Sequence, residues 1–244
     1  MAKIFITGSA DGLGLLSAEA LLADGHEVVL HARNEARRKD VLKKLTSATN
    51  VLTGDLSNIE ETVRLAEQVN ALGSFDAVIH NAGLYKATGR EIFAVNTLAP
   101  YILTCLIQKP QRLIYLSSGL HLQGRASLDQ IKLDVNTTTY SDSKLHVLML
   151  AKAISRTWND VYSNAVNPGW VPTKMGGKGA PDDLKEGYQT QLWLAASKEE
   201  IAKVSGKYFF HKQESAYNPA ADDEVFRKRL LELCQQLSAV PFPQ

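Results

Sequence analysis

Short apolar runs alternate with longer amphipathic stretches along the chain. The runs predicted to be strands are Lys3–Thr7, Glu27–His31, Asn50–Thr53, Ala77–His80, Arg112–Leu116, Val161–Val166 and Gly206–Phe210. The stretches with helical periodicity are Leu13–Ala23, Ala36–Leu45, Ile59–Ala71, Ile92–Ile107, Ser143–Thr157, Leu184–Ala195 and Glu224–Leu237. Strands separated by helices form βαβ units, which build a parallel sheet covered on both faces. The alternation therefore predicts an α/β, doubly wound Rossmann fold with about seven mostly parallel strands.

One domain is the simplest organisation for this sequence. Its 244 residues include 45% hydrophobic and 22% charged residues, a composition typical of globular proteins and sufficient for a large core. No internal repeat and no Pro- or Ser-rich linker divides the chain, so we predict a single domain over residues 1–244. Ser57-Asn58-Ile59-Glu60 is a capping-box pattern that opens the third helix.

Charge and cysteine content argue against several classes of protein. The 27 Lys and Arg residues are balanced by 26 acidic residues, for a net charge of +1, so no overall field attracts nucleic acid or anionic lipid. Cys105 and Cys234 have no neighbouring histidine pairs and suggest neither a disulfide framework nor a metal site. The N-terminus lacks a signal-peptide pattern, and no apolar run reaches ~18 residues. We therefore expect a cytoplasmic protein with no metal, membrane or nucleic-acid partner.

The turn between the first strand and the first helix reads Thr7-Gly8-Ser9-Ala10-Asp11-Gly12-Leu13-Gly14. Gly8 permits a tight turn, Gly12 lets the backbone approach a pyrophosphate, and Gly14 allows the helix to pack on the strand. The helix N-terminus then offers free N–H groups to phosphates. A glycine-rich turn without ligand is the alternative, but the position after an N-terminal apolar strand favours a dinucleotide site. The expected contacts are Thr7, Gly8, Ser9, Asp11, Gly12, Leu13 and Gly14.

The end of the second strand indicates which dinucleotide binds. Arg33 stands where a NAD site commonly has an acidic residue for the ribose 2′-hydroxyl. An arginine at this place suits the 2′-phosphate of NADP, and Arg37 or Arg38 would add positive charge. The alternative is that Arg33 is a solvated residue at the start of a helix. We expect NADP(H) in preference to NAD(H).

Two further strand ends supply candidate nucleotide contacts. Asp55 directly follows the third strand, where it can accept a hydrogen bond from the adenine amino group, and Leu56 lies beside it. The alternative for Asp55 is a loop acid or a helix cap. Asn81-Ala82-Gly83 follows the fourth strand, and its small residues let the backbone lie beside a cofactor while Asn81 ties neighbouring loops together. Alone, this tripeptide would be an ordinary turn.

Tyr140 and Lys144 form the most informative pair. At positions i and i+4 they share one face of a helix. A free tyrosine has a pKa of about 10, and a nearby ammonium lowers that pKa, so Tyr140 can exchange a proton with an alcohol or carbonyl oxygen. Of Ser117 and Ser118, which end the fifth strand, Ser118 is better placed to donate a hydrogen bond to the same oxygen. The alternatives are an ordinary surface pair and two serines that only end a strand.

Together these parts resemble the short-chain dehydrogenase/reductase family, in motif order from about Lys3 to Gly169. The motifs that carry the resemblance are Thr7-Gly-x-x-x-Gly12-x-Gly14, Asn81-Ala82-Gly83, Asn96, Ser118, Tyr140-x-x-x-Lys144 and Pro168-Gly169. The resemblance implies that Tyr140 is the general acid/base and that Ser118 positions the substrate oxygen. It also implies that Lys144 lowers the pKa of the tyrosine and binds the nicotinamide ribose.

The resemblance implies roles for four residues with weaker local signals. Asn96 would hold a water that links Lys144 to solvent, whereas by itself it is only a polar residue inside a helix. Pro168 and Gly169 would border the nicotinamide, and Thr173 would bind its carboxamide. Members of the family often pair through their central helices, so the resemblance is compatible with a homodimer or homotetramer, and the sequence leaves the oligomeric state and the pairing surface open.

A weaker resemblance is to the family's retinol-dehydrogenase-like subgroup, which indicates apolar substrates. It rests on residues 116–121, on the 22 positions from Ser118 to Tyr140, and on residues 205–209. The 13 positions from Gly83 to Asn96 are fewer than the subgroup usually shows, and retinoid specificity is not expected. The side chains that can line a substrate pocket are Tyr85, His121, Trp170, Met175, Tyr188 and Trp193; ordinary packing is the alternative for each.

The leading prediction is an NADP(H)-dependent oxidoreductase that interconverts a small-molecule carbonyl and an alcohol. A non-catalytic dinucleotide-binding redox sensor is the alternative, but Ser118, Tyr140 and Lys144 are all present. An epimerase or dehydratase would favour a longer C-terminal substrate region. The stretch 170–183, rich in Gly and Pro, is expected to form a mobile lid beyond a strand end.

Overall fold

A single eight-stranded sheet organises the molecule. The computed structural model describes residues 1–46, 50–125 and 135–243. Its strands are β1 (Lys3–Ile6), β2 (Glu27–Ala32), β3 (Asn50–Thr53), β4 (Ala77–His80), β5 (Arg112–Leu116), β6 (Tyr162–Asn167), β7 (Tyr208–Phe210) and β8 (Gln213–Glu214). Their order is β3-β2-β1-β4-β5-β6-β7-β8. The strands β1 to β7 run parallel, which confirms the predicted doubly wound Rossmann fold.

The eighth strand was not predicted. It pairs antiparallel with β7 through Phe209↔Glu214 and Phe210↔Gln213. The turn between them places His211 and Lys212 at φ values of 48° and 62°. Hairpin turns of this kind are usually marked by Asn or Gly, so this sequence carries no turn signal.

The helices are close to those predicted from periodicity. They are α1 (Gly12–Ala23), α2 (Glu35–Lys44), α3 (Ile59–Ala71), α4 (Gly89–Phe93), α5 (Ala99–Leu106), α6 (Tyr140–Thr157), α7 (Glu186–Ala196) and α8 (Glu224–Ser238). The predicted helix Ile92–Ile107 is interrupted, because a π-helical turn, Ala94–Leu98, joins α4 to α5. Such turns widen a helix locally and often occur at functional sites.

Capping side chains explain one helix start that differs from its prediction and correct the predicted cap of another helix. Helix α6 begins three residues earlier than predicted, because Thr139 and Asp142 form a reciprocal capping box. The cap of α3 is Asn58, not Ser57, since the Asn58 side chain accepts the Glu61 N–H at 2.9 Å. The Ser57 hydroxyl instead donates to Asp55 Oδ1 at 2.7 Å.

The core lies on both faces of the sheet. Along β1, Phe5 packs in the cluster that holds the buried side chains of α3, α5, α6 and α8. Ile4 and Ile6 point to the opposite face and pack with α1, α2 and α7. This alternation is the period-2 pattern of a strand covered on both sides. Because helices cover both faces of the sheet, the carboxyl ends of the strands remain accessible.

The C-terminal residues cover the outer face of α5 and α6. Every residue of α6 from Asp142 to Ile154 is buried. The Tyr101 hydroxyl of α5 donates to Val240 O at 2.8 Å, and Lys152 of α6 donates to Asp222 Oδ1 at 2.8 Å. The central helices are therefore enclosed by the chain's own C-terminal segment.

The described part of the chain has neither a membrane-spanning helix nor a cluster of metal-ligating side chains. Within residues 1–46, 50–125 and 135–243, no helix combines the length and apolar character that crossing a membrane requires. Within the same ranges, no group of three or more His, Cys, Asp or Glu side chains is arranged to hold a metal ion.

Candidate active site

A cleft of about 400 Å³ opens at the carboxyl ends of the strands. It lies where the strand order reverses between β1 and β4, the usual ligand position in doubly wound sheets. The predicted site residues that line it are Gly8, Asp11, Gly12, Leu13, Arg33, Asp55, Leu56, Asn81, Ala82, Gly83, Tyr140, Lys144, Pro168 and Thr173. The other predicted site residues do not line the cleft and instead belong to the loops and helices that form its walls: Thr7, Ser9, Gly14, Asn96, Ser118 and Gly169.

The glycine loop is held from beneath by Asn81. Its amide nitrogen donates to Thr7 O and Gly8 O at 2.9 and 3.1 Å, and its backbone N–H donates to Thr7 Oγ1 at 3.0 Å. Gly8 has a φ of 63°, and a Cβ there would lie 2.8 Å from Ala82 Cα. A Cβ on Gly14 would lie 2.6 Å from Gly8 O. The loop thus requires glycine for close approach to its neighbours.

His31, which sequence analysis did not single out, lies inside the nucleotide cleft. It is the penultimate residue of β2, is 3% exposed and contributes to the lining. Its Nδ1 accepts the Gly8 N–H at 3.0 Å, and its Nε2 contacts Gly54 O at 2.8 Å. Burial lowers the pKa of His31 below its ordinary value. The available signal was a polar residue in an otherwise apolar strand, two positions before Arg33.

Basic side chains gather at the outer end of the cleft. Arg33 is exposed and lines the cleft. Arg37 Nη2 lies 3.1 Å from Asp11 Oδ2, and Lys174, from the loop after β6, forms an ion pair with the same carboxylate. Burial of Asp11 acts to raise its pKa, but bonds from Lys174, the Gly12 N–H and Arg37 outweigh burial and lower the pKa to about 2. Asp11 therefore holds two cations beside the glycine loop.

Arg38 does not add charge to the cleft, contrary to one of the two predicted options. Its Nε donates to Val51 O at 3.0 Å and its Nη1 donates to Glu35 at 3.0 Å. Helical spacing explains the difference, because adjacent helix residues point about 100° apart. Asp55 does line the cleft, with its Oδ1 accepting the Ser57 N–H at 2.9 Å.

Tyr140 and Lys144 meet at the inner end of the cleft, on the first two turns of α6. The Lys144 ammonium lies 5.3 Å from the centre of the Tyr140 ring and donates to Leu116 O at 2.7 Å. Burial lowers the pKa of Lys144 to about 8. Burial also raises the pKa of Tyr140 to about 12, although a hydrogen bond with the Ser118 side chain acts to lower it. The predicted net lowering of the Tyr140 pKa is therefore not observed, because burial outweighs the groups that favour the phenolate.

Asn96 lies in the π-helical turn and joins three elements. Its Nδ2 donates to Leu84 O at 2.9 Å and to Ser143 Oγ at 3.0 Å, and its Oδ1 accepts the Leu84 N–H at 2.7 Å. A Cβ built on Gly83 would lie 3.5 Å from this oxygen and 3.4 Å from Lys144 Nζ. The amide therefore lies near the ammonium and fixes the loop after β4.

Ser118 begins a 3₁₀ turn, Gly119–Gln123, directly after β5. Its hydroxyl accepts the Leu120 N–H at 3.2 Å, and its carbonyl accepts from His121 Nδ1 at 2.6 Å. The Nε2 of His121 accepts the Asn218 N–H at 3.1 Å. Because both ring nitrogens are hydrogen-bonded to backbone groups, the buried His121 connects Ser118 to Asn218 and does not line the cleft.

The loop after β6 brings Pro168, Thr173 and Met175 to the cleft. Gly169 has a φ of 81° and allows the turn, and the following Trp170 N–H donates to Asp182 Oδ2 at 2.6 Å. The Thr173 hydroxyl accepts the Gly176 N–H at 3.2 Å. The loop is thus held by its own hydrogen bonds.

Two predicted lining residues lie elsewhere. Tyr188 and Trp193 border a groove that also contains Ala20 of α1 and Lys185, away from the catalytic cleft. Both residues belong to α7, whose inward face packs on the sheet. The sequence periodicity of α7 did not show that these two side chains point toward α1 and away from the cleft.

A model of the family described as short chain dehydrogenase matches residues 2–183. The chain belongs to the short-chain dehydrogenase family. An uncharacterized oxidoreductase of Emericella nidulans is 44% identical over 256 residues, covering 100% of this chain and 99% of the relative. A short-chain dehydrogenase of Penicillium rubens is 38% identical and covers 100% of both chains. Retinol dehydrogenase 13 of Homo sapiens is 29% identical, covering 93% of this chain and 81% of its own.

Solved structures show the same fold for this short-chain dehydrogenase. An uncharacterized protein from Mycobacterium paratuberculosis has a TM-score of 0.81 and 22% identity, covering 100% of this chain and 96% of its own. A short chain dehydrogenase from Shigella flexneri, solved as a complex with NADP, has a TM-score of 0.69 and 22% identity. It covers 87% of this chain and 97% of its own. The predicted family is confirmed, and the protein is an oxidoreductase of that family.

Proposed function

We propose that this short-chain dehydrogenase is an NADP(H)-dependent enzyme that interconverts a small-molecule carbonyl and an alcohol. The observation that carries the proposal is that Tyr140 and Lys144 line the inner end of a cleft whose outer end is the glycine loop, with the Ser118 side chain hydrogen-bonded to Tyr140. One end of the cleft suits phosphates, and the other suits proton exchange with an oxygen atom.

The residues present fit a dinucleotide. Gly12 lines the cleft at a φ of 55°, and a Cβ there would extend into the space between the glycine loop and Thr173, whose Cβ would be 3.9 Å away. Helix α1 begins at the same residue. In this proposal Gly8, Gly12 and Leu13 hold the pyrophosphate, while Asp55 and Leu56 border the adenine. Only one of the three Lys144 ammonium protons is needed for Leu116 O, so donors remain for a ribose hydroxyl. When bound, the nicotinamide supplies or accepts the hydride.

Proton transfer falls to Tyr140. With its pKa raised to about 12, the phenol is protonated at neutral pH and suits donation to a carbonyl oxygen in the reducing direction. Ser118 donates a hydrogen bond to that oxygen and stabilises the charge that grows on it. The ammonium 5.3 Å from the Tyr140 ring stabilises the phenolate left behind. In this proposal Asn96 holds a water that links Lys144 to solvent, so that the phenol can regain its proton.

Preference for the 2′-phosphate rests on charge. Arg33 is exposed at the cleft. Arg37 and Lys174 both pair with Asp11, and Arg37 also lies 3.8 Å from Asp40. The three cations and two anions leave a local charge of about +1, opposite in sign to a phosphate of about −2. The related Shigella flexneri protein was solved with NADP, which supports the same proposal.

The exposed apolar side chains favour an apolar substrate. Five large apolar residues, exposed by 37–59%, lie on the loops after β4, β5 and β6: Tyr85, Leu120, Leu122, Trp170 and Met175. The Tyr85 ring contacts the Tyr140 ring edge-on, with centroids 4.9 Å apart. Apolar surface concentrated beside a catalytic group is typical of a substrate site.

A homodimer or homotetramer remains part of the proposal, as does a cytoplasmic location. Because α8 and the residues after it cover α5 and α6, subunits would pair through another surface.

The test begins with binding titrations of the purified protein with NADPH and NADH, followed by turnover on carbonyl compounds of graded apolar size. We expect tighter binding of NADPH and NADPH oxidation that depends on the carbonyl. Equal binding of both nucleotides would contradict the NADP preference. Nucleotide binding without turnover on any carbonyl or alcohol would favour the redox sensor, and no nucleotide binding would overturn both proposals.

A further inference from the structure

His31 connects the two loops that enclose the outer half of the cleft. We propose that it is a positioning residue for the adenosine half of the nucleotide, setting affinity without touching the reacting atoms. The inference rests on the proposed function, because it concerns how the same cleft holds its nucleotide. His31 is 3% exposed, so solvent cannot replace the hydrogen bonds of its ring.

The hydrogen-bond partners of His31 fix its tautomer. Gly8 N–H can only donate, so the Nδ1 atom 3.0 Å away must be the unprotonated acceptor. Gly54 O can only accept, so the Nε2 atom 2.8 Å away must carry the proton. The neutral Nε2–H form satisfies both partners, whereas a doubly protonated ring would direct a hydrogen at the Gly8 N–H.

The backbone of the same residue also holds the glycine loop. Ser9 N–H donates to His31 O at 3.1 Å, and His31 N–H donates to Ser9 Oγ at 2.9 Å. With the ring contact to Gly8, three hydrogen bonds join His31 to two successive loop residues. The position of the loop relative to β2 is therefore fixed at this one residue.

The ring extends the connection to a second loop. Gly54 immediately precedes Asp55 and Leu56, which line the cleft, and its carbonyl accepts the hydrogen bond from His31 Nε2–H. A single imidazole thus spans from the loop that suits the pyrophosphate to the loop that borders the adenine. Loss of the ring would leave the Gly8 N–H without its acceptor. The distance between the glycine loop and the loop after β3 would then no longer be fixed by a side chain.

The charged groups around His31 do not compete for its nitrogens. Asp55 from the loop after β3 acts on the ring only through space. Asp11 of the glycine loop is engaged by Arg37 and Lys174, and Arg33 is exposed. The ring is therefore committed to its two backbone partners.

The chain contains a matched control at the opposite end of β2. His26 Nδ1 accepts the Ala2 N–H at 3.0 Å, the same kind of bond as that from Gly8 to His31. His26 borders the groove beside α1 and α7 instead of the cleft. Replacing either histidine with Phe removes one N–H acceptor near β1, but only one of the two lies beside the nucleotide.

The experiment compares His31→Phe, His31→Asn and His26→Phe with the unaltered protein by calorimetric titration with NADPH and with adenosine 2′,5′-bisphosphate. We expect His31→Phe to weaken both ligands by the same factor, roughly tenfold. His31→Asn keeps an oxygen near the Nδ1 position, so part of the affinity should return. His26→Phe should bind both ligands as the unaltered protein does, even if its melting temperature falls.

Three results separate failure of this inference from failure of the proposed function. If the unaltered protein binds neither ligand, the proposed function fails. If it binds both and His31→Phe binds them equally well, His31 does not position the site. If His31→Phe does not fold, the ¹⁵N shifts of His31 in the unaltered protein decide: an Nδ1–H tautomer, or nitrogens that do not respond to adenosine 2′,5′-bisphosphate, would overturn the inference.

Discussion

The Lys144 ammonium lies 5.3 Å from the centre of the Tyr140 ring, one helical turn away on α6. The same ammonium donates to Leu116 O of β5 at 2.7 Å, so the helix that carries the phenol is tied to the sheet beneath it. Both groups have shifted pKa values, near 8 for Lys144 and near 12 for Tyr140, mainly because of burial. Both shifts favour the neutral side chain, the amine of Lys144 and the phenol of Tyr140, because burial removes the water that stabilises a charged group.

Removing the Tyr140 hydroxyl should abolish proton transfer while leaving nucleotide binding intact. We expect Tyr140→Phe to lower turnover by roughly 10²- to 10⁴-fold, the usual contribution of a positioned acid or base, with little change in NADPH affinity. Steady-state kinetics and a binding titration measure the two effects. Tyr162→Phe, at the start of β6, is the matched control. Turnover of Tyr140→Phe close to that of the control would refute the assignment.

Replacing Lys144 with Met should stabilise the fold at neutral pH while impairing the enzyme. The folded chain holds the pKa of Lys144 near 8, below its ordinary 10.5, so between these pH values the unfolded state binds more protons. The free energy of unfolding of the unaltered protein therefore gains up to about 3 kcal/mol as pH rises from 8 to 10.5. Lys144→Met has no titrating group at this position, so its free energy of unfolding lacks this dependence on pH.

Denaturant unfolding of both proteins at pH 7 and pH 10 measures the difference. We expect the Met variant to be the more stable at pH 7, with the gap narrowing toward pH 10. A constant gap would mean that the ammonium is not desolvated as the fold indicates.

The charge of Arg33 should distinguish the two nucleotides. Arg33→Ala is expected to weaken NADPH by about tenfold or more and to leave NADH unchanged, because only NADPH carries the 2′-phosphate. Arg38→Ala removes the same charge from a side chain committed to Val51 O and Glu35. If Arg38→Ala weakens NADPH as much as Arg33→Ala does, long-range charge rather than a direct contact sets the preference.

Gly14→Ala should destabilise the protein although alanine is ordinarily the better helix former. The new Cβ would lie 2.6 Å from Gly8 O and 2.9 Å from Ser9 Cα, so we expect a loss of about 3 kcal/mol or more. Gly25→Ala is the comparison, because Gly25 has a φ of 79° and no atom within 4 Å of a built Cβ. Its cost should be only about 1 kcal/mol. Equal melting temperatures for the two variants would contradict the close helix–loop contact.

Much of the fold was readable because its signals are local. The runs Asn50–Thr53, Ala77–His80 and Arg112–Leu116 have the predicted bounds, since each is a β-branched or apolar run that ends at polar or small residues. The glycine loop was likewise predicted, because strand, tight turn and helix follow one another within a few residues. Contacts such as those of Asn81 with Thr7 and Gly8 follow once two parallel strands are known to be neighbours.

The sequence by itself determined the order of strands and helices, the glycine loop and the pairing of Tyr140 with Lys144, since all depend on spacing along the chain. Only the tertiary structure decided that His31 joins Gly8 to Gly54, that Asp11 binds both Arg37 and Lys174, and that the pKa of Tyr140 rises. These depend on which residues distant in sequence meet and on how much water is excluded when they meet. Neither quantity is carried by a local pattern of residues.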